Sequence, residues 1–239
     1  MKVALNPCYI LHQRPYRETS LILDVFSRDH GKLSLVARGA RKGRHSQRPI
    51  MQANQKLNMA WVIRGEMGTL TAIEAVGKNY NLAGRELLAA FYINELLVRL
   101  LHKQEPYPEL YDAYEIALRH LGGCEDEQVI LRIFEKRLLE TLGYGLVLDH
   151  DVLSGEPIEA STVYYYHADS GPTISIASGH EYVKITGKAL TAMANGSIHE
   201  QDDLQEAKQL TRYVLKPLLG SRPLASRELF RNYLKMRQP

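Results

Sequence analysis

The chain has 239 residues, of which 45% are hydrophobic and 24% are charged, as in an ordinary globular protein with one large or two modest domains. Its formal net charge is only +3, but the charges are segregated along the sequence. Residues 1–80 carry thirteen Lys and Arg against five Asp and Glu, residues 81–207 carry nine against twenty-one, and residues 208–239 carry eight against one. Two basic segments around an acidic one predict a surface directed at a polyanion.

Cysteine content and hydropathy exclude several classes of protein. Cys8 and Cys124 are the two cysteines, too few for a disulfide framework or a zinc site built on thiolates. No signal peptide is recognisable after Lys2, and no apolar run approaches the roughly 20 residues of a membrane-spanning helix. The sequence therefore predicts a reduced, cytoplasmic protein.

The first 80 residues predict a small all-β domain. Strand-forming side chains are concentrated in five short runs, separated by Pro, Gly and Asp turns, at residues 9–11, 20–26, 33–37, 56–63 and 69–76. The spacing leaves no room for helical crossovers, so an antiparallel barrel or sandwich is expected. The favoured form is a five-stranded antiparallel oligonucleotide-binding (OB) barrel spanning residues 1–80, with Trp61 in its core.

Residues 31–48 carry the clearest functional signal. Alternating Leu33, Leu35 and Ala37 predict a strand, and the segment after it holds the basic residues Arg38, Arg41, Lys42, Arg44 and Arg48. No acidic residue lies between Asp29 and Glu66. A basic loop containing glycine suits contact with a phosphate backbone, because cations bind phosphate and glycine lets the chain approach closely. A solvated surface loop is the alternative interpretation.

A second candidate contact follows the first strand. Arg14, Tyr16 and Arg17 fall where OB barrels commonly carry a nucleic-acid loop. Tyr16 can stack on a base while the two arginines contact phosphates, or it can simply cover the barrel end. The domain has few other aromatic residues, so backbone contacts are expected to outweigh base stacking, and sequence specificity is expected to be low.

Beyond residue 80 the hydrophobic period changes from two to about 3.6, which predicts a helical second domain at residues 81–239 and an α+β class overall. Helices are expected at residues 85–102, 109–121, 126–142, 187–194, 202–219 and 227–235. Residues 145–186 interrupt this pattern with turn residues and the run Tyr164, Tyr165 and Tyr166. They predict a small β-rich insertion, in which the Tyr run fits a strand surface better than a base platform.

The sequence contains almost none of the common catalytic motifs. P-loop, G-x-S-x-G and G-x-G-x-x-G motifs do not occur. Asp149, His150 and Asp151 form the one tight acid–histidine–acid cluster, for which a polar loop is a simpler interpretation than a metal-dependent nuclease site. The C-terminal basic group would form a second DNA surface or serve as ordinary charge at helix ends, and it consists of Lys216, Arg222, Arg227, Arg231 and Lys235.

Several runs, in order along nearly the whole chain, resemble the bacterial RecO family of recombination mediators. They are YILHQRPYRETSLILDVFSRDHGKLSLVARGARKG from Tyr9, FYINELL from Phe91, LGYG from Leu142, SGEP from Ser154 and KPLLGSRPLASRELFR from Lys216. The resemblance implies an OB barrel followed by a helical domain with a zinc-ribbon-like insertion. It also implies binding of single- and double-stranded DNA, annealing of complementary strands and, with RecR, loading of RecA on DNA coated by single-strand DNA-binding protein (SSB). Such a protein acts without catalysing a reaction.

The insertion departs from the family. Many members carry four zinc-binding cysteines just after LGY, whereas residues 145–167 contain no cysteine here. We therefore expect no zinc and no other cofactor. The insertion is instead expected to be held by its own packing, with the Tyr run and Val163 as contributors.

The resemblance also implies capture of the acidic C-terminal tail of SSB. A pocket between helices with cations at its rim would suit the terminal carboxylate of such a tail. Arg132 and Lys136 lie four residues apart on a predicted helix and fit this role by spacing. A protein-interaction adaptor, in which DNA binding is secondary, is therefore the alternative function.

Overall fold

Two compact units make up the protein, whose computed structural model describes residues 1–41, 48–77, 80–123, 126–175 and 181–237, without the side chains of Arg48 and Arg237. One unit comprises Met1–Glu125 with Pro223–Pro239, and the other comprises Asp126–Arg222. The two helices after the barrel and the last helix of the chain thus belong to the same unit as the barrel. The division at residue 80 remains a prediction about independently folding domains.

The first unit begins with a closed five-stranded barrel. After β3 a short 3-10 helix (Arg48–Ile50) precedes the fourth strand, and the strands are β1 (Lys2–Tyr16), β2 (Ser20–Ser27), β3 (Gly31–Ala37), β4 (Lys56–Ile63) and β5 (Gly68–Ala75). Their order is β1-β2-β3-β5-β4, and β1 pairs with β4 to close the barrel. The five predicted strands are confirmed, although β1 begins seven residues earlier than predicted.

The pairing of β3 with β5 departs from the predicted antiparallel barrel. Leu35 pairs with Gly68 and Val36 with Thr69 in parallel, whereas the other strand pairs are antiparallel. A tight hairpin after β3 would have placed β4 antiparallel beside it. The connection at residues 38–55 is much longer, so β4 lies beside β1 and β3 is left to pair with β5. The expectation of a purely antiparallel barrel is therefore wrong.

Helices and a second small sheet form the rest of the described chain. The helices are α1 (Gly84–Leu100), α2 (Pro108–Gly122), α3 (Glu127–Thr141), α4 (Gly187–Asn195), α5 (Gln201–Leu219) and α6 (Ala225–Arg237). The small sheet has the order β7-β6-β8, with strands β6 (Val163–His167), β7 (Gly171–Thr173) and β8 (Val183–Thr186). Each predicted helix and the predicted β-rich insertion are confirmed. Of the helices described, none combines the length and apolar character needed to cross a bilayer.

Strand alternation builds the barrel core. In β3, Leu33, Leu35 and Ala37 are buried and the residues between them are partly exposed. Trp61 is fully buried, which confirms its predicted place in the core. On the outside of the barrel, Tyr9 packs against Tyr114 with the ring centroids 5.0 Å apart. Burial of such large aromatic surfaces fixes α2 on the barrel.

A buried polar network joins the barrel to α1 and α2. Asn94 donates through Nδ2 to the Leu11 carbonyl at 3.2 Å and to Asn54 Oδ1 at 2.9 Å. The hydroxyl of Tyr114 donates to Asn94 Oδ1 at 2.7 Å. Because buried polar groups are costly when unsatisfied, this network specifies one placement of the two helices within the first unit.

The last helix is capped by a side chain from α1. Glu95 accepts hydrogen bonds from the backbone N–H groups of Ala225 and Ser226, each at 2.9 Å, and from the Ser226 hydroxyl at 2.6 Å. Burial acts to raise the pKa of Glu95, but these hydrogen bonds and Arg99 outweigh it and lower the pKa. A carboxylate at a helix N-terminus is favourable because it satisfies free N–H groups and complements the helix dipole.

Candidate nucleic-acid interface

One end of the barrel carries an open groove. It lies where the β1–β2 turn meets the end of β3 and the start of β5, since the parallel pairing of Val36 with Thr69 places β5 beside β3. The groove has a volume of about 560 Å³, which is within the range of small-ligand sites. The residues that line it include Tyr16, Arg17, Glu18, Thr19, Arg38 and Thr69.

Tyr16 and Arg17 lie together at the β1–β2 turn. Tyr16 ends β1 and pairs with Ser20 across the turn. Arg17 has a φ of 51°, a left-handed conformation that costs a non-glycine residue about 1–2 kcal/mol. Its Cζ lies 5.1 Å from the centroid of the Tyr16 ring, within the range of a cation–π contact. The loop is shorter than predicted, because Arg14 and Tyr16 belong to β1.

Two further arginines are brought to the same turn. Arg38 directly follows β3 and is exposed. Arg41 donates its backbone N–H to the Thr19 carbonyl at 2.9 Å and its Nη1 to the Arg17 carbonyl at 3.4 Å. In the described part of the chain, Arg17, Arg38 and Arg41 have no carboxylate at ion-pair distance. We refer to these three residues as the rim cations.

The remainder of the predicted basic loop is only partly described. Lys42 and Arg44 lie outside the described residues. Arg48 begins the 3-10 helix, and its side chain is outside the description. The proposed contacts of these three residues with phosphate therefore remain predictions.

Arg14 is a predicted DNA-binding residue whose charge is balanced by an ion pair. Its Nη1 lies 2.7 Å from Asp24 Oδ2, and Ser34 donates its hydroxyl to Asp24 Oδ1 at 2.7 Å. Burial acts to raise the pKa of Asp24, but contacts with His12, Ser34 and Arg14 outweigh burial and lower the pKa to about 2. Because its cation is already paired, Arg14 offers less to a phosphate than the rim cations do.

Two other basic side chains of the barrel are paired with acids on α2. Arg28 makes a bidentate pair with Asp112, with Nε–Oδ1 and Nη2–Oδ2 distances of 3.1 and 2.9 Å. Lys56 Nζ lies 2.8 Å from each carboxylate oxygen of Glu115. We refer to Arg14, Arg28 and Lys56 as the paired cations. These pairs were not predicted from the sequence, although the spacing of Asp112 and Glu115 places both acids on one face of α2.

Two sequence families together cover most of the chain. The family described as Recombination protein O N terminal matches residues 1–79. The family described as Recombination protein O C terminal matches residues 83–228. The chain belongs to the RecO family. Its barrel thus falls within the N-terminal family, and α1 to α5 fall within the C-terminal family.

Proteins named DNA repair protein RecO are similar to the chain over nearly their whole length. The Photobacterium profundum protein is 44% identical over 226 residues, covering 95% of this chain and 95% of that protein. The Nitrosococcus oceani protein is 41% identical over 229 residues, with coverages of 96% and 93%. The Azoarcus sp. protein is 41% identical over 238 residues, with coverages of 98% and 98%. The resemblance inferred from the sequence is confirmed.

In this RecO chain the small insertion is organised around Asp151. Its Oδ1 accepts the N–H groups of Leu153 and Ser154 at 2.8 and 3.0 Å, and its Oδ2 accepts the N–H of Ile174 at 2.8 Å. Asp151 is 3% exposed. Burial acts to raise its pKa, but the backbone hydrogen bonds outweigh burial and lower the pKa. Asp151 therefore ties the loop after Asp149 to the end of β7.

The Tyr run contributes to the same insertion as predicted, whereas Val163 does not. Tyr164 and Tyr166 are buried, and their hydroxyls accept the N–H groups of Glu159 and Val147, each at 3.0 Å. Val163 is 37% exposed, because alternation in β6 turns it to the face opposite Tyr164. The expected contribution of Val163 to the packing is therefore wrong.

The acid–histidine–acid cluster does not form one site. His150 Nδ1 lies 2.7 Å from Asp149 Oδ1, while both oxygens of Asp151 are engaged with backbone N–H groups. Within residues 1–41, 48–77, 80–123, 126–175 and 181–237, no three His, Cys, Asp or Glu side chains are grouped to hold a metal ion. The arrangement gives the nuclease interpretation no shared metal site.

The predicted C-terminal basic group is divided between the two units. Lys216 and Arg222 belong to the second unit, and Arg227, Arg231 and Lys235 belong to α6 in the first. Arg231 and Lys235 are exposed and Arg227 is partly exposed. Their spacing of four places these three on one face of α6. A DNA-binding role for the group remains a prediction.

Arg132 and Lys136 are both on α3 but are not a matched pair. Arg132 is 4% exposed, and its Nη2 lies 2.8 Å from Glu135 Oε1. Lys136 donates through Nζ to the carbonyls of Met193 and Ala194, at 3.2 and 2.7 Å, near the C-terminus of α4. Such a contact satisfies free helix carbonyls. The predicted role of the two residues in binding a tail remains untested, and they do not form an exposed cationic rim.

Proposed function

We propose that the protein is a DNA-binding recombination mediator that acts without catalysing a reaction. It binds single- and double-stranded DNA, anneals complementary strands and, with RecR, helps to load RecA on DNA coated by SSB. The observation that carries the proposal is the groove whose rim cations have no carboxylate partner among the described residues. Family membership, and the name DNA repair protein RecO borne by the relatives, support it.

The topology of the barrel supports a nucleic-acid-binding role. A closed five-stranded barrel with the order β1-β2-β3-β5-β4 is what we expect of an OB fold, in which the loop between the first two strands contacts oligonucleotides. That loop is the β1–β2 turn, which holds Arg17 and contributes to the groove. A protein of this kind is expected in the cytoplasm, associated with the nucleoid.

Annealing needs a second surface for the second strand. Two complementary strands repel each other through their phosphates, and cations that bind both strands lower that repulsion while base pairing supplies the specificity. We assign the first strand to the rim cations, together with Lys42, Arg44 and Arg48, which follow them in the sequence. Arg227, Arg231 and Lys235 are our choice for the second surface, because one helix face presents all three.

A charge-matched pair of double variants tests the first surface. Arg17→Gln with Arg38→Gln removes two rim cations, and Arg28→Gln with Lys56→Gln removes two paired cations. Each phosphate contact adds about 0.7 to the log–log salt slope of single-strand binding, so the rim variant should lower the slope by up to about 1.4. Fluorescence anisotropy of a labelled oligonucleotide across a salt series gives the slope, and annealing should fall with affinity.

The paired-cation variant serves as the control because it has the same net charge as the rim variant. Its slope should match that of the wild type. Equal losses in the two variants would show that DNA responds to overall charge, and would remove the groove from the proposal. A further triple variant, Arg41→Ala, Lys42→Ala and Arg44→Ala, extends the test to the basic loop and should lower the slope by up to about 2.

An adaptor for the acidic tail of SSB is the second candidate function. It is supported by Arg132, a buried guanidinium whose Nε and Nη1 have no hydrogen-bond partner among the described residues. A buried cation with free donors suits a carboxylate. Calorimetry with a tail peptide should show about tenfold weaker binding for Arg132→Gln. Lys136→Gln should bind normally, since Lys136 contacts α4, and an unchanged Arg132→Gln would exclude this site.

A further inference from the structure

The groove combines charges of opposite sign. Glu18 lines it together with Arg17 and Arg38. All three side chains are exposed, and the carboxylate repels a phosphate placed beside it, whereas the arginines attract one. The charge pattern therefore favours a neutral, polar group beside Glu18 and a phosphate beside the arginines. An unpaired nucleotide has this arrangement, with an uncharged base attached to a charged backbone.

The other side chains of the groove fit a base. Tyr16, with the Arg17 guanidinium 5.1 Å from its ring centroid, offers the planar surfaces on which bases stack. Glu18 can only accept hydrogen bonds when ionised, and Thr19 and Thr69 carry hydroxyls that can donate or accept. Cytosine and adenine carry exocyclic amines that can donate to a carboxylate, whereas thymine presents a carbonyl oxygen at the equivalent position.

The turn that carries these residues is held in place from both sides. Tyr16 pairs with Ser20 across it, and the backbone N–H of Arg41 donates to the Thr19 carbonyl at 2.9 Å. Arg17 keeps a φ of 51° within this turn. Residues held in such costly conformations concentrate at ligand sites, because the surrounding structure fixes them for a role other than stability.

We infer that the groove is a subsite for one unpaired nucleotide, with its base stacked on Tyr16 and Arg17 and its exocyclic amine donating to Glu18. Its phosphate contacts Arg38 at the rim. The inference rests on the proposed DNA binding and adds two properties to it. Single strands bind more tightly than duplexes, whose bases are not free to enter. Among single strands, those rich in cytosine bind more tightly than those rich in thymine.

Substitutions of Tyr16 test the base stacking. Tyr16→Leu keeps apolar bulk at this half-buried position but removes the ring, and Tyr16→Phe keeps the ring. Loss of one stacked base should weaken binding of a single-stranded oligonucleotide about fivefold or more. The same variant should weaken binding of a hairpin duplex much less, because paired bases are not free to stack, and Tyr16→Phe, which keeps the ring, should weaken single-strand binding less than Tyr16→Leu does. Equal weakening of single strand and duplex by Tyr16→Leu would overturn the subsite.

Homopolymers of equal length test the role of Glu18. Oligo-dC and oligo-dT are both pyrimidine strands, and the amine that donates to a carboxylate is present only in cytosine. The wild type should favour oligo-dC by about three- to tenfold, the range of one typical hydrogen bond at an exposed site. In Glu18→Gln the ratio should fall towards one, because the amide can also donate to thymine. A ratio that is one in the wild type, or unchanged in Glu18→Gln, would overturn the inference.

The rim variants test the proposed DNA binding, whereas the variants of Tyr16 and Glu18 test the nucleotide subsite alone. If the rim variants weaken binding while those of Tyr16 and Glu18 leave every ratio unchanged, the groove holds a phosphate backbone and not a base. If the rim variants also bind normally, the DNA-binding proposal fails at this surface and the subsite fails with it.

Discussion

Arg17 and Arg28 belong to the same barrel and the same basic stretch of sequence, yet their surroundings differ. Arg28 makes two hydrogen bonds to Asp112 on α2, and Lys56 is similarly held by Glu115. Arg17 contacts the Tyr16 ring and has no carboxylate at ion-pair distance in the described structure. A count of charges along the sequence gives these residues equal weight. Their partners divide them into cations that fix a helix and cations that face solvent.

The comparison shows why net charge alone is a poor guide to a DNA-binding surface. Each paired cation has a counter-charge within 3 Å, so its field is largely cancelled a short distance away. The field that a polyanion encounters comes mainly from the unbalanced charges. Among the described cations of the barrel, those without an ion pair include the rim cations, at the end where the groove opens.

The strongest test restores most of the net charge without restoring the rim. A variant with the three rim cations changed to Gln loses three positive charges, and Asp112→Asn with Glu115→Gln then removes two negative ones. Loss of three contacts should still weaken single-strand binding roughly 100-fold at about 0.1 M salt. Anisotropy gives the affinity, and circular dichroism checks the fold. Recovery of near wild-type affinity would mean that the position of the charge does not matter.

The contacts of Asp24 with His12, Ser34 and Arg14 predict a dependence of stability on pH. The pKa of Asp24 is lowered to about 2, below its unfolded value of about 3.9. Its contribution to the free energy of unfolding, about 2 kcal/mol, is therefore present above pH 4 and lost as the pH falls through about 2. Urea unfolding, followed by the fluorescence of Trp61 in the barrel core, measures it. Asp24→Asn should abolish this dependence, whereas Glu66→Gln on the same barrel should retain it.

The paired cations and the rim cations should also differ in what they contribute to the free energy of unfolding. Lys56→Gln leaves Glu115 without its partner and should lower the free energy of unfolding by about 1 kcal/mol. Arg38→Gln removes an exposed cation and should change it by less than about 0.5 kcal/mol. Urea denaturation with Trp61 fluorescence compares them. The cost of Lys56→Gln should shrink in high salt, and equal costs for the two variants would contradict the division.

The smallest expected effect concerns Arg17. Glycine adopts a φ of 51° without the penalty paid by other residues, so Arg17→Gly should leave stability unchanged or raise it by up to about 0.5 kcal/mol. The same variant should weaken single-strand binding about fivefold, since a cation of the DNA surface that also offers a stacking plane is lost. Denaturation and anisotropy on one preparation give both results. A stability loss with unchanged binding would show that Arg17 serves the fold and not the DNA.

Local pattern was enough to predict most elements of the fold. Alternation in residues 33–37 and the 3.6-residue period after residue 80 depend on neighbours in the chain, so the strands and helices could be read from them. The parallel pairing of Leu35 with Gly68 could not, because it depends on where the long connection after β3 places β4. Glu95 as the cap of α6 was missed for the same reason, since 130 residues separate it from Ala225.

The candidate site was predicted in composition but not in detail. The basic run correctly drew attention to Arg38 and Arg41, and the turn to Tyr16 and Arg17. Which cations are balanced depends on tertiary contacts, such as Asp24 beside Arg14, that sequence spacing does not reveal. Arg132 shows the limit most clearly: a charge on a predicted helix was assumed to face solvent, but it is buried beside Glu135.

The arrangement around Asp151 has a consequence for how the insertion assembles. A zinc ribbon closes only after an ion arrives, so its folded fraction depends on the supply of free metal. Here the cross-link consists of one side chain and three main-chain N–H groups, all carried by the same molecule. Its closure is a first-order event, and its equilibrium constant contains no concentration. We expect this cross-link to form to the same extent at any concentration of free metal.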